Sequence, residues 1–271
     1  MIALHVLASG SKGNAAVVED AGTGEGVLID CGVTAKALVE RCEQAGFEPL
    51  RLRAVVVTHD HSDHVKGLGV ALRCLSRRAR KLGVPYALPP VYALPEVLGC
   101  RGMADAAAEA DVRPLACGER LAVGALAFEP FPTSHDAAAS CGFRISHADG
   151  DALGYVTDTG FLTEQAACAL RDVRLLALEC NHDRLMLKNG DYPAMLKARV
   201  ASDRGHLSND QAAEALGALL GPRLECVVAM HLSENNNRPS IAERTLRAVL
   251  DAQGHPARVE VAAQHMLVSV R

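Results

Sequence analysis

The chain has 271 residues, 49% of them hydrophobic but only 3% aromatic, no tryptophan, and a formal net charge of −4. This length and apolar content suit one large domain or two small ones with a core packed by Ala, Leu and Val, and we expect a single domain over 1–271. The charge balance excludes a broad basic surface, and the scarcity of aromatic rings argues against base stacking as the main mode of nucleic-acid binding.

Nine cysteines without a Cys-x-x-Cys pair read as free thiols of a reducing compartment. Met1 to Leu7 carries no basic lead or cleavage site, and no apolar run nears the ~18 residues of a membrane span. The expectation is a cytoplasmic protein without a membrane partner; no protein partner can be deduced.

In chain order, Ile2–Ala8 reads as a strand, Ser9–Asn14 as a small-residue turn, and Ala15–Glu19 as a second strand. The turn could cradle an anion with its backbone N–H groups or be an ordinary hairpin turn. Val27–Asp30 is a strand. Thr34 caps a helix running to about Ala45, with Gly46 as its stop. A Val-rich run, Val55–Val57, reads as a covered strand and leads into Thr58-His59-Asp60-His61-Ser62-Asp63-His64.

Gly67–Lys81 is expected as a helix stopped by Gly83, Val84–Leu88 as a strand and Tyr92–Leu98 as a short helix. Residues 100–118 carry no clear pattern. Strands follow at Arg120–Val123, Ala125–Phe131, Cys141–His147, Leu153–Thr157, Arg174–Glu179 and Leu224–Met230. Helices are expected at Thr163–Leu170, Tyr192–Ala201, Ser208–Leu219 and Pro239–Ala252, and a closing hairpin from Arg258–Val261 and Met266–Val270. Strand-rich halves with helices between point to two sheets packed face to face and covered by helices.

The six residues from His59 to His64 hold three imidazoles and two carboxylates, the ligands that borderline divalent cations prefer. In an extended loop, His59, His61 and Asp63 would lean one way. Four ligand-type groups in so short a stretch suit two ions better than one. Three further strands end in a group of the same kind: His135, Asp158 and His231. The run Arg73, Arg77, Arg78, Arg80 and Lys81 is either the solvated face of a helix or a phosphate contact, with Arg77 and Arg78 the candidates for that contact.

His59-x-His61-x-Asp63-His64 after an apolar strand resembles the signature of the metallo-β-lactamase superfamily. Gly205-His206-Leu207-Ser208, then helix, strand and His231, resembles its ribonuclease Z-like phosphodiesterase branch. The wider set resembles the YycJ/WalJ-type exonucleases over nearly the whole chain: Ala8-Ser9-Gly10-Ser11-x-Gly13-Asn14, Thr58 to Gly67, Gly154 to Gly160, Glu179-x-Asn181-His182-Asp183 and Gly205 to Asn209. It departs near 104–110 and at Ala137-Ala138-Ala139.

The resemblance implies an α/β (α+β) four-layer αββα sandwich. It further implies two divalent metal ions, zinc or manganese with iron as a third candidate. His59, His61 and His135 would hold one, Asp63, His64 and His231 the other, with Asp158 bridging and room for a bridging water as nucleophile. Asp30 would support the metal loop by hydrogen bonds. Asp63, His206, Glu179 and Asp30 form the implied catalytic set. The implied activity is a metal-dependent 5′→3′ DNA exonuclease, with an RNA-processing nuclease or a thioesterase or lactamase-type hydrolase as alternatives. His182 is open between a structural histidine and a functional one.

Overall fold

The apolar runs expected as covered strands are strands in the computed structural model, which describes all 271 residues. One sheet contains β1 (Ile2–Ala8), β2 (Ala15–Asp20), β3 (Glu25–Ile29), β4 (Leu52–Val56), β5 (Val91–Ala93), β6 (Val112–Pro114) and β14 (Val268–Val270), in the order β14-β1-β2-β3-β4-β5-β6. The other contains β7 (Leu121–Val123), β8 (Leu126–Pro132), β9 (Cys141–His147), β10 (Ala152–Val156), β11 (Leu175–Glu179), β12 (Cys226–Met230) and β13 (Arg258–Val261), in the order β13-β12-β11-β10-β9-β8-β7. β1, β10, β11 and β12 are buried along their whole length, as continuous apolar strands covered on both faces must be.

Helices α1 (Ala35–Gln44) and α3 (Leu68–Leu82) cover the first sheet, their Leu38, Leu72 and Leu75 joining a core that runs through to Phe128 and Phe143 of the second. Helices α6 (Glu164–Ala169), α9 (Asn209–Leu219) and α10 (Pro239–Ala252) cover the second sheet through Leu216, Leu246 and Leu250. This is the expected αββα order. Shorter helices fill the connections: α2 (Ser62–Val65), α4 (Pro95–Leu98), α5 (Ala104–Ala107), α7 (Arg184–Asn189) and α8 (Ala194–Val200). Thr34 caps α1 through the Ala37 N–H, and Ser208 with Gln211 forms a capping box on α9.

Three expectations are corrected. Val84–Leu88 is not a strand: Pro85, Pro89 and Pro90 deprive that stretch of ladder donors, and the strand lies beyond them at β5. Tyr92 belongs to β5, not to a helix, because Leu94 precedes a proline and stays extended (ψ 145°); helix begins only at Pro95. The closing strands do not form a hairpin. β13 pairs parallel with β12 in the second sheet, and β14 pairs antiparallel with β1 in the first, so residues 262–267 cross from sheet to sheet.

Asp151 and Arg174 tie the two sheets together. Arg174 donates Nε and Nη2 to the Asp151 carboxylate (2.8 and 2.7 Å) and Nη2 to the Ile2 carbonyl (2.7 Å), while the Ile2 N–H donates to Asp151 (2.8 Å). Burial alone would raise the Asp151 pKa; the Arg174 and Ile2 bonds outweigh it and hold the carboxyl below its ordinary value. Arg174→Ala strands a buried carboxylate and is expected to cost about 3–5 kcal/mol. The contribution of Asp151 is present above the unfolded carboxylate value near ~3.9 and is lost as the pH falls through the depressed folded value. Urea titrations should therefore find the gap between variant and wild type widest at neutral pH and narrowing in acid.

Candidate metal centre

Strand ends set the site. Asp30 follows β3, the His59 loop follows β4, His135 follows β8, Asp158 follows β10, Glu179 ends β11 and His231 follows β12. Asp30, Asp158 and His231 hold left-handed backbone (φ 58°, 54° and 55°), and only one other non-glycine residue, Asp172, does so. Such a conformation costs roughly 1–3 kcal/mol per residue. Here it turns each side chain off its strand into the same space.

The metal loop is not extended. His61 is the N-cap of α2, and Asp63 and His64 lie inside its single turn. The alternation argument is therefore corrected: His59 and His61 face one side, and the helical turn swings Asp63 and His64 to the other. The turn is held by backbone bonds from Cys31 N to His64 O (2.7 Å) and from Asn14 N to Asp63 O (2.7 Å). Gly32 is required by this approach, because a Cβ there would lie 1.6 Å from the Asp63 carbonyl oxygen.

Besides a group of Asp158, Glu179, His206 and His231 and one of His59, His64 and Asp158, two groups have their ligand atoms within 4.8 Å of one another: His59, His61 and His135, and Asp63, His64 and His231. Asp158 stands between them. Its Oδ1 is 3.7 Å from His135 Nε2 and its Oδ2 is 3.3 Å from His64 Nε2. Outer partners fix which nitrogen of each ring faces in. His64 Nδ1 bonds to Asp30 (2.8 Å), His135 Nδ1 to the Gly205 carbonyl (3.0 Å), and His231 Nδ1 to Glu179 (3.0 Å). Asp30 also accepts from the Thr58 N–H and hydroxyl, both at 2.8 Å, and so supports the loop without entering it.

The inward nitrogens call for a cation. Nε2 of His59 and Nε2 of His231 are buried and have no hydrogen-bond partner, a costly state for a polar atom. His135 Nε2 and His61 Nδ1 lie 3.2 Å apart, while their opposite nitrogens are within reach of backbone carbonyls. Two lone pairs at that distance repel unless a proton or metal lies between. Burial pushes the His64 pKa down, but Asp158 and Asp30 outweigh it and hold it up at about 9. The same imidazoles outweigh the burial of Asp158 and hold it well below the carboxylate range. Nitrogen and carboxylate donors in this number fit divalent ions such as zinc, manganese or iron.

His206 joins the site beside these groups. Its Nδ1 is 2.8 Å from Glu179 Oε1, and its ring lines the cleft. Glu179 is fully buried and serves His206 and His231 with one oxygen and the Thr159 N–H with the other (2.9 Å). Burial would raise the Glu179 pKa; His206 and His231 outweigh it and hold it at about 2. The cleft is an open cavity of about 240 Å³.

Residues 25–232 match the β-lactamase superfamily domain. The chain belongs to the metallo-β-lactamase superfamily. Within it, the chain is 33% identical over 242 residues to exodeoxyribonuclease WalJ of Streptococcus pneumoniae, covering 89% of this chain and 85% of the relative. It is 33% identical over 251 residues to exodeoxyribonuclease YycJ of Bacillus anthracis, covering 92% and 89%. Among solved structures, the metallo-β-lactamase-fold protein YhfI of Bacillus subtilis superposes with a TM-score of 0.72 at 15% identity over 99% of each chain. A diphosphatase of the PhnP family gives 0.68 at 20% identity over 100% of this chain and 98% of the other. Human tRNase Z, short form, gives 0.60 at 15% over 99% of each. At such identities the structural likeness concerns fold alone.

In this metallo-β-lactamase fold all seven expected ligands, with Asp30, Glu179 and His206, fall in one place. Sequence reasoning left the Ser9–Asn14 turn open between a site role and an ordinary hairpin, and missed other neighbours. Asn14 donates to His64 Nε2 (2.9 Å) and Asp63 (3.3 Å), so the small-residue turn lines the site. Asn181 supports the His231 carbonyl (2.9 Å). Tyr192, Leu196, Arg199 and Val200 wall the cleft from the α8 side, with Arg199 paired to Asp136. The small-residue turn was a visible signal; the α8 wall had none. The Ala137-Ala138-Ala139 departure sits at the rim, where the Ala138 N–H donates to Asp60 (3.1 Å).

Arg77 and Arg78 do not reach the site. They line a separate groove between α1 and α3, and Arg78 is paired with Glu43 (2.9 Å) and Glu48 (3.4 Å). Replacing both by Ala is expected to leave the salt dependence of nucleic-acid binding unchanged, as a fluorescence-anisotropy titration over a range of salt would show.

Proposed function

We propose that this chain is a metal-dependent exonuclease that degrades DNA 5′→3′, with His59, His61 and His135 holding one divalent cation, Asp63, His64 and His231 a second, and Asp158 touching both. Kinship with the two exodeoxyribonucleases makes it a metal-dependent hydrolase of phosphodiester bonds. The observation that carries the metal reading is the pair of buried, unpartnered nitrogens, His59 Nε2 and His231 Nε2, among converging carboxylates. The polarity and the choice of DNA are supported by the resemblance to the YycJ/WalJ-type exonucleases.

When bound, a pair of divalent cations lowers the pKa of water and offsets the charge of a phosphodiester. The remaining work falls to this chain's side chains. Asp63 is more open to the cleft than Asp158 (20% against 3%) and would take the proton of the attacking water. Glu179 fixes His206 Nδ1, turning Nε2 toward the cleft to protonate the departing oxygen. Asp30 keeps Thr58 and His64 in register with the phosphate.

The test is digestion of 5′- and 3′-end-labelled DNA and RNA, single- and double-stranded, by protein stripped of metal and then reloaded with zinc, manganese or iron. Metal-dependent release of mononucleotides from the 5′ end of DNA is expected. Processing confined to RNA, or release from the 3′ end, would refute the substrate or the polarity; activity in the stripped protein would refute the metals.

A further inference from the structure

Behind α8 lies a second cavity, of about 440 Å³, that shares no wall residue with the metal cleft. Leu196, Arg199 and Val200 of α8 face the cleft, and Lys197, Ala198 and Ala201 face this cavity. The other wall comes from α7 and its lead-in: His182, Arg184, Leu187 and Lys188. The site therefore has two chambers separated by one short helix.

His182 is only 2% exposed, and Nδ1 is sealed in without a hydrogen-bond partner. No side-chain bond serves the ring at all, although its backbone is well held, its carbonyl accepting from Asn209 N (2.9 Å). A histidine kept only for packing normally finds a carbonyl or a hydroxyl, since an unmade bond costs about 1–3 kcal/mol. Three cations ring the same space. Lys188 is exposed and has no ion pair. Lys197 donates to the Lys188 carbonyl (2.8 Å). Arg184 contacts the Ser208 hydroxyl (3.2 Å) and sits 3.5 Å from Asp210. Against them stand Asp210 and Asp183, the latter occupied in capping α7. Leu185 and Met195, on the same two helices, are the most exposed large apolar side chains of the chain (68% and 86%), surface that a nucleobase could cover.

We propose that this cavity is a second phosphate-binding site, which takes a backbone phosphate of the nucleic-acid strand a few nucleotides from the bond being cut, with His182, Lys188, Lys197 and Arg184 as its donors. The proposal rests on the nuclease reading above. A helix with its side chains is about 10–12 Å across, and a stacked strand advances about 3.4 Å per nucleotide. Passing from one chamber to the other therefore takes about three nucleotides. Oligonucleotides of four or more residues reach both chambers, and a dinucleotide reaches only the metal cleft.

Metal-loaded full-length protein is compared with its Lys188→Glu and His182→Leu variants on a dinucleotide and on a hexanucleotide. Binding of a fluorescein-labelled hexanucleotide is followed in parallel by anisotropy across a salt series. In wild type, KM is expected to fall between two and four nucleotides and then level. In Lys188→Glu, the hexanucleotide KM and Kd should rise about tenfold and the salt slope should lose about 0.7, with dinucleotide hydrolysis within twofold of wild type. His182→Leu should unfold at no lower temperature, its orphan nitrogen gone, yet also bind the hexanucleotide more weakly. An unchanged Kd and slope in Lys188→Glu would overturn the site, as would equal losses on both lengths. If wild type cleaves neither substrate, the nuclease reading fails instead, and the anisotropy series still decides whether this cavity binds the strand.

Discussion

Asp158→Ala is expected to retain less than one equivalent of metal and to lose activity to background. No other carboxylate approaches both histidine groups: Oδ1 lies 3.7 Å from His135 Nε2, and Oδ2 lies 3.3 Å from His64 Nε2. It is also the counter-charge for four buried imidazoles, which hold it ionised against its burial. Without it, Asp63 would be the one carboxylate among the proposed ligands of two cations. Elemental analysis after dialysis is the measurement. Two equivalents retained in the variant would mean that each cation is held by its own histidines and that Asp158 has another task. Asp158→Asn keeps the shape and the Thr157 hydroxyl contact (2.7 Å) but not the charge, so it separates a loss of metal from a loss of fold.

His206→Ala should behave differently. Both equivalents of metal should remain, because His206 is outside the two ligand groups assigned here, and DNA should bind almost normally. Cleavage should fall by roughly 10²–10⁴, the usual worth of proton transfer to a leaving group. A nitrophenyl phosphodiester, whose leaving group needs little protonation, should lose far less. The contact from His206 Nδ1 to Glu179 (2.8 Å) predicts that Glu179→Gln reproduces part of this pattern, with added damage through His231. Equal losses on both substrates, or a loss of metal, would assign His206 a structural or ligand role.

The residues that converge on the cleft were legible in the sequence because each is a polar group placed after an apolar strand, a junction that local pattern displays. His59, His61, Asp63 and His64 announce themselves by density alone. Asp158 and His231 do not, and only their order relative to the resembled family singled them out. The turn of α2 was not legible, since four residues carry too little periodicity to distinguish a helical turn from an extended loop. Nor was the split of β13 from β14: a strand's pattern names its faces, not its neighbour, and the neighbour of β14 is more than 260 residues away. The α8 wall and the sheet-tying Arg174 escaped for the same reason, each depending on contacts that the chain makes only once folded.

That distant pairing has a consequence in time. Residues 262–267 do more than carry the chain between sheets. Gln264 accepts from the Lys12 N–H (2.8 Å), donates to the Gly13 carbonyl (2.8 Å), and offers its own carbonyl to Arg41 (3.2 Å). It thereby clamps the Ser9–Asn14 turn, whose Asn14 touches His64 and Asp63. A ribosome makes the clamp 252 residues after Lys12 and 251 after Gly13, the turn residues that it holds. Until then the edge of β1 lacks its β14 partner, and the loop beside His64 and Asp63 lacks its lock. The site beside His64 and Asp63 can therefore close only after Gln264 and β14 have been made.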